Sequence, residues 1–305
     1  MRSILGNSKS ASQHAGRPPA AVELTPEGVL AAAVAGKGEQ PVYGFEPLRA
    51  GALVPGIAEP NLRAPEAVVA AIRNSLEAVS PRTRFVTLVV PDTAVRVFVL
   101  DFDSLPARPA EAVPVLRFRM RKMVPFDVEH SGLSYQVLSE SRTETRVLAA
   151  ILPHVILEEY EGAVRSAGYE SGVVMPSTLA ALAALDSTEP VLTACLSNHA
   201  MTTAITSGND LLLYRTLDLP ENPRERLAEV QRGVAVASAY YEDKLAARPR
   251  QIYFSGSGEP ADFALWIGDP EVTVVDLAPR PATGAATKLG HATFAGITGA
   301  LAGVA

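Results

Sequence analysis

The chain has 305 residues, room for two ordinary domains, and a net charge of −6 from 33 acidic and 27 basic side chains. Hydrophobic residues make up 48% and charged residues 20%, which excludes disorder over most of the chain, and the acidic balance argues against a general nucleic-acid binder. A single cysteine, Cys195, excludes an internal disulfide or a multi-thiolate metal centre and suits a reducing compartment.

Residues 1–19 carry Arg2, Lys9 and Arg17 without an apolar core, so they read as a flexible leader and not as a signal peptide. No apolar run reaches the roughly 18 residues that span a bilayer. Three short strands are expected over 20–24, 29–35 and 42–47, the first two joined by the turn Thr25-Pro26-Glu27-Gly28. Pro65-Glu66 opens a helix whose apolar residues Val68, Ile72, Leu76 and Val79 recur at helical spacing. A strand follows at 84–90.

The segment 92–138 reads as an inserted subdomain, with strands at 93–102 and 133–138 around a helix at 112–123. A return strand (146–152), a helix from 155 ended by Gly168, a strand (171–174) and a helix (178–185) complete the first half. The second half repeats the order. Strands at 191–196, 202–207 and 211–217 precede a helix at 223–245, a strand at 251–255, a helix at 260–267, a strand at 271–275 and a final helix at 289–301. The recurrence predicts a duplicated α/β unit: leader 1–19, first lobe 20–188 with the insert at about 92–138, and second lobe 189–305.

A duplicated three-strand α/β unit is the architecture of the actin-like ATPase fold. Within the insert, AVPVLRFRMRKMVPFDVEHSGLSYQVL (112–138) resembles the PilM family, cytoplasmic actin-like proteins of type IV pilus assembly. The likeness rests on a helix running into the step Val124-Pro125-Phe126 and on a strand ending Tyr135-Gln136-Val137-Leu138. LPHVILEEYEGAVRSAGYES (152–171) and IYFSGSGE (252–259) agree in order with that family's later helix and nucleotide-side turn. Element order follows the family from Ala20 onward, with specific matches concentrated in 123–138.

The resemblance implies an interlobe ATP site. Actin-like ATPases grip phosphate with two hairpin turns, each offering an Asp and small residues whose amides approach the anion. Here the first turn has no Asp, Leu24 replaces a small residue, Pro26 removes a donor, and Glu23 and Glu27 repel phosphate. The second turn keeps Ser197, Asn198 and Thr202 as hydrogen-bonding residues but lacks an acid for a Mg²⁺ shell. No acid stands near Met175. Gly256, Ser257 and Gly258 form a strand-to-helix turn that can approach a nucleoside or serve only its own backbone. ATP is thus a cofactor by resemblance alone, and no catalytic residue is assigned.

Other candidates are thin. The five histidines are not paired on a helix face, and no G-x-S-x-G, H-E-x-x-H or phosphate-loop motif occurs. Cys195 reads as a structural thiol, and Asp101 with Asp103 as a solvated turn. Arg117, Arg119, Arg121 and Lys122 concentrate positive charge beside the stripe Ala112, Leu116, Met120 and Met123. That is either a solvated helix face or a docking surface for an acidic partner or an anionic membrane leaflet.

By resemblance the chain is expected to be a cytoplasmic scaffold at the inner membrane. It would bind the N-terminal cytoplasmic tail of a PilN-like bitopic membrane protein along Arg117, Arg121, Lys122, Met123, Val124 and Phe126, without ATP hydrolysis. The alternative is a switch of the same fold gated by nucleotide. A sugar or acetate kinase is disfavoured by the missing acids.

Overall fold

The computed structural model describes residues 17–36, 39–185, 187–208, 210–256, 258–278 and 294–302. Expectations on most of the leader, on Ser257 and on 289–293 of the final helix lie outside these residues. Of the leader, Arg17 is held in place: its guanidinium donates to the carbonyls of Gly299 (3.0 Å) and Ala302 (3.2 Å).

Strands β1 (Ala20–Thr25), β2 (Gly28–Ala33) and β3 (Val42–Pro47) form an antiparallel meander. Helix α1 (Pro65–Val79) covers it with Val68, Ile72, Leu76 and Val79, all buried, and ends at Ser80 in the left-handed conformation. Strand β4 (Phe85–Val90) runs parallel to β1, as buried β-branched strands do in α/β folds. A single 3₁₀ turn, Asp92–Ala94, leads into β5 (Arg96–Phe102), α2 (Pro109–Met120), β6 (Ser131–Glu140) and β7 (Thr145–Pro153). Then come α3 (His154–Ser166), β8 (Glu170–Pro176) and α4 (Ser177–Leu182). The second half supplies β9 (Val191–Leu196), β10 (Ala200–Ser207), β11 (Asp210–Asp218), α5 (Pro223–Leu245), β12 (Gln251–Gly256), α6 (Pro260–Ile267), β13 (Thr273–Asp276) and α7 (Ala295–Leu301).

The duplication is explicit in the sheets. One has the order β3-β2-β1-β4-β8 and the other β11-β10-β9-β12-β13, so each strand of the first sheet has its counterpart in the second. In both, a meander is extended by two parallel strands reached through helices.

The third sheet, β5-β7-β6, extends the insert beyond its expected end at 138. The segment expected to return to the first lobe, β7, is instead the central strand of this sheet, bonded to β5 and β6. Its composition explains why. Val147, Ala149 and Ile151 face α2, while Leu148, Ala150 and Leu152 pack with Ala204, Leu211 and Tyr214 of the second lobe. A strand apolar on both faces is a central strand. Helix α2 stops at Met120, three residues earlier than expected, because Pro125 disfavours helix at Val124 and the chain turns with Met123 N–H on the Met120 carbonyl.

The terminal helices of the two halves meet between the sheets, and Ala180 of α4 packs with Val89 and Met175 of the first sheet. Ala181 of α4 packs with Cys195 and Tyr253 of the second sheet, while Ile297, Ala300 and Leu301 of α7 pack with Ala21, Leu30, Ala32 and Val89 of the first. The two helices cross in close contact, and a Cβ at Gly299 would collide with the Ala180 carbonyl. Glycine is required there by space alone.

Candidate functional site

Between the lobes lies a cavity of about 380 Å³, walled by the β1–β2 turn, the β9–β10 turn, the Asp92 turn and the starts of α4 and α7. Both hairpin turns expected to face a phosphate are present here, and each is closed on itself. Thr25 Oγ1 accepts the Gly28 amide (3.2 Å) and donates to the Gly28 carbonyl (2.9 Å). Ser197 Oγ accepts the amides of His199 (3.3 Å) and Ala200 (3.0 Å) and donates to the Ala200 carbonyl (3.1 Å). Asn198 then spans the cleft, its Nδ2 donating to Glu27 Oε1 at 2.7 Å. The Gly28, His199 and Ala200 amides are thus taken by side-chain hydroxyls, and a carboxylate stands at the mouth.

Deeper in the cavity is Glu23, on β1 and only 1% exposed. Ser177 Oγ donates to its Oε1 at 2.5 Å, while Oε2 is buried without a hydrogen-bond partner. Burial, with the nearby Asp92 charge adding to it, pushes the Glu23 carboxyl up to about 7 against the Ser177 hydrogen bond. Gly296 meets it from α7, where a Cβ would collide with the carboxylate.

Asp92 is the junction of the two lobes. Its Oδ1 accepts the Thr178 amide (3.1 Å) and the Tyr214 hydroxyl (3.0 Å), and its Oδ2 accepts the hydroxyls of Thr178 (2.5 Å) and Thr202 (3.1 Å). Four donors fill the four lone-pair sites of a carboxylate. Desolvation raises its carboxyl above the usual range, against the lowering by these donors. Burial also pushes the Cys195 thiol up to about 12, so it is a neutral thiol at physiological pH.

These geometries reassign several expected site residues. Ser197 and Asn198 do line the cleft, but with their hydrogen bonds committed to protein. Thr202 is buried and serves Asp92 and Thr216. Gly256 pairs with Leu196 on β9, and a Cβ there would meet the Leu196 carbonyl at 2.8 Å, so its small size lets two strands approach. Gly258 adopts a φ of +132°, a conformation glycine supplies at the entry to α6. Glu23 was legible only as a charge hostile to phosphate. Asp92 and Tyr214 were not assigned a role, and the one sequence signal is the Pro91-Asp92-Thr93 break after a largely apolar strand. The residues present therefore do not fit Mg²⁺ with a nucleoside triphosphate, and among the described residues no group of three or more acids, histidines or cysteines can hold a metal.

The residues expected to contact a partner divide into two sets. Arg117 turns inward, Nη2 donating to the Ser131 carbonyl at 3.0 Å, and Val124 and Phe126 pack in the core beneath α2. Arg121 is exposed and pairs with Glu129 at 3.0 Å, while Lys122 and Met123 face outward. Two residues that sequence reasoning passed over join them on the outer face of α2: Val115, and Phe118 at 75% exposure. The apolar stripe also loses its last member, since Met123 follows the helix end and is exposed.

No protein-family model matches the chain, and no curated protein matches it by sequence. Solved structures do. The chain is similar to one in the PilM-PilN type IV pilus biogenesis complex, at 17% identity and a TM-score of 0.74, covering 94% of this chain and 98% of that one. It is also similar to the cytoplasmic domain of EpsL, an inner-membrane component of the Vibrio cholerae type II secretion system. There the identity is 12% and the TM-score 0.52, covering 92% and 94% of the two chains. The fold is the actin-like ATPase fold. Among the described residues no helix is long and apolar enough to cross a membrane.

Proposed function

We propose that this chain is a scaffold component of a type IV pilus or related secretion assembly machine, holding the cytoplasmic tail of a PilN-like inner-membrane protein and turning over no ATP. The observation that carries this reading is the correspondence, over nearly the whole of both chains, with a chain of a complex containing PilN. The self-closed hairpins support the absence of turnover. In this role the protein works at the cytoplasmic face of the inner membrane, reached through its partner.

The docking surface in this proposal is the outer face of α2 and the turn after it: Val115, Phe118, Lys122 and Met123, with Arg121. Apolar side chains at i, i+3 spacing beside cations suit a short peptide carrying both apolar anchors and acidic residues. Calorimetric titration with a synthetic PilN-like tail tests it. Phe118→Ala is expected to weaken binding about tenfold, an ordinary anchor loss. Lys122→Glu is expected to weaken it more at low salt than at high. Both residues are exposed, so the fold is retained. Unchanged affinity in both variants would move the docking site elsewhere, and thermal stabilisation by Mg-ATP would favour the nucleotide-gated switch.

A further inference from the structure

Two helices of this chain present apolar side chains to solvent, and the charges around them are opposite in sign. One is α2. The other is α6, where Leu265 is 80% exposed and Trp266, the chain's single tryptophan, is 39% exposed. We propose that the chain assembles head to tail, the α6 face of one copy seating on the α2 face of the next. The inference is read from the chain's own two surfaces and does not rest on tail docking, although a bound tail would occupy α2.

Three observations carry it. First, Leu265 and Phe118 are the two most exposed large apolar side chains among the described residues. A lone exposed leucine needs no explanation, but each of these has company: Trp266 follows Leu265, and Val115 lies one turn before Phe118.

Second, the charges are complementary. Residues 115–126 hold four cations, Arg117, Arg119, Arg121 and Lys122, and no acid. Glu129 pairs with Arg121, which leaves Arg119 and Lys122 facing solvent. Residues 259–276 hold five acids, Glu259, Asp262, Asp269, Glu271 and Asp276, and no cation. Asp262 is exposed and precedes Leu265 and Trp266 by three and four positions, so it shares their face of α6. Arg248, which reaches Glu271 from beyond this segment, is also taken by Glu242. Apolar anchors inside rims of opposite charge supply affinity and orientation together.

Third, both faces are held on fixed platforms. Phe263 of α6 stacks on Phe254 of β12, and Gln231 of α5 donates to the Trp266 carbonyl at 2.8 Å. Leu116 and Met120 anchor α2 in the core of the insert. Little ordering is left to be done on contact.

A symmetric pairing is the weaker arrangement. Placing α6 on α6 sets acids against acids, and α2 on α2 sets cations against cations. Because the two faces differ, the contact is heterologous, and a joined pair still offers one free α2 and one free α6 to further copies. Each face is a single short helix, so the contact belongs with weak interfaces.

The test is sedimentation equilibrium of the full chain, without tail peptide, from about 5 to 500 µM at low salt. The weight-average mass is expected to rise past that of a dimer and to fall back as salt is added. Phe118→Ser and Leu265→Ser are each expected to weaken association about tenfold, and both sites are exposed, so the fold is retained. Their equimolar mixture decides the geometry. It offers one intact α6 and one intact α2, so it is expected to form a dimer and stop there. A parent chain that stays monomeric throughout would overturn the proposal and leave the α6 face to a different protein. A parent mass that levels off at a dimer would overturn it, as would unchanged assembly of Leu265→Ser or a mixture no heavier than its components. Leu265→Ser keeps α2 intact, so its titration with a PilN-like tail reads the docking proposal separately from assembly.

Discussion

The β1–β2 and β9–β10 hairpins are the same device built twice. In each, the turn hydroxyl, Thr25 or Ser197, comes two residues past a residue that lines the cleft, Glu23 in one copy and Cys195 in the other. Each turn opens with a hydroxyl, Thr25 or Ser197, that folds back onto the fourth residue. The difference lies in what the buried position does. In the second copy a neutral thiol is at ease among Ala181, Leu277 and Tyr253. In the first, a carboxyl is held in the same kind of place with only one of its oxygens hydrogen-bonded. Duplication thus fixes backbone geometry, while the one side chain that differs decides the electrostatics of the cavity.

Cutting the link between the copies should have the largest effect. Asp92→Ala strips charge-assisted bonds from Thr178, Thr202 and Tyr214 and is expected to cost about 3–5 kcal/mol, read by urea unfolding. Asp92→Asn, which can accept on one side only, should fall between that variant and the parent.

Making the first copy resemble the second should stabilise it, and only above acidic pH. Glu23 has its carboxyl raised from 4.5 to about 7, so the folded state holds its proton more tightly than the unfolded chain does. The stability this confers is present below pH 4.5 and lost as pH rises through 7. Glu23→Gln lacks that loss. At pH 8 it is expected to be more stable than the parent by on the order of 3 kcal/mol, with the gap closing toward pH 4. A gap that is constant with pH would show that packing, and not ionisation, separates the two side chains.

The smallest effect belongs to the bridge over the mouth. Asn198→Ala removes an exposed hydrogen bond to Glu27 and should change stability by about 1 kcal/mol or less. Its readout is local: amide exchange should quicken in the two turns and stay unchanged in the sheets.

The fold was legible because its signals are local. Turn chemistry at Thr25–Gly28, helix spacing at Val68, Ile72, Leu76 and Val79, and the repeated order of elements need no knowledge of distant contacts. The site was legible only where it coincides with a turn, at Ser197 and Asn198. The partners of Asp92 lie 86, 110 and 122 residues away, a separation that no pattern along the chain encodes. Arg117 failed for a subtler reason. Counting charges marks the helix as basic, but Arg117 follows the buried Leu116 and lies with Val113 on the half-buried flank, where a long side chain reaches inward to a carbonyl. Glu23 sits in a strand buried on both faces, so alternation gave no hint that it points into a cavity.

The seating of α7 on the first sheet has a consequence for how the molecule is made. The face of the first sheet formed by Ala21, Leu30, Ala32 and Val89 is covered by Ile297, Ala300 and Leu301, and Arg17 fastens the end of that covering helix. A nascent chain therefore emerges with that face of its first sheet not yet covered by α7, which follows Val89 by roughly 200 residues. The second lobe is, in the order of synthesis, an interruption of the first. A chain truncated before Ala295 is therefore expected to expose that face and to lose solubility, read by sedimentation of the truncated protein.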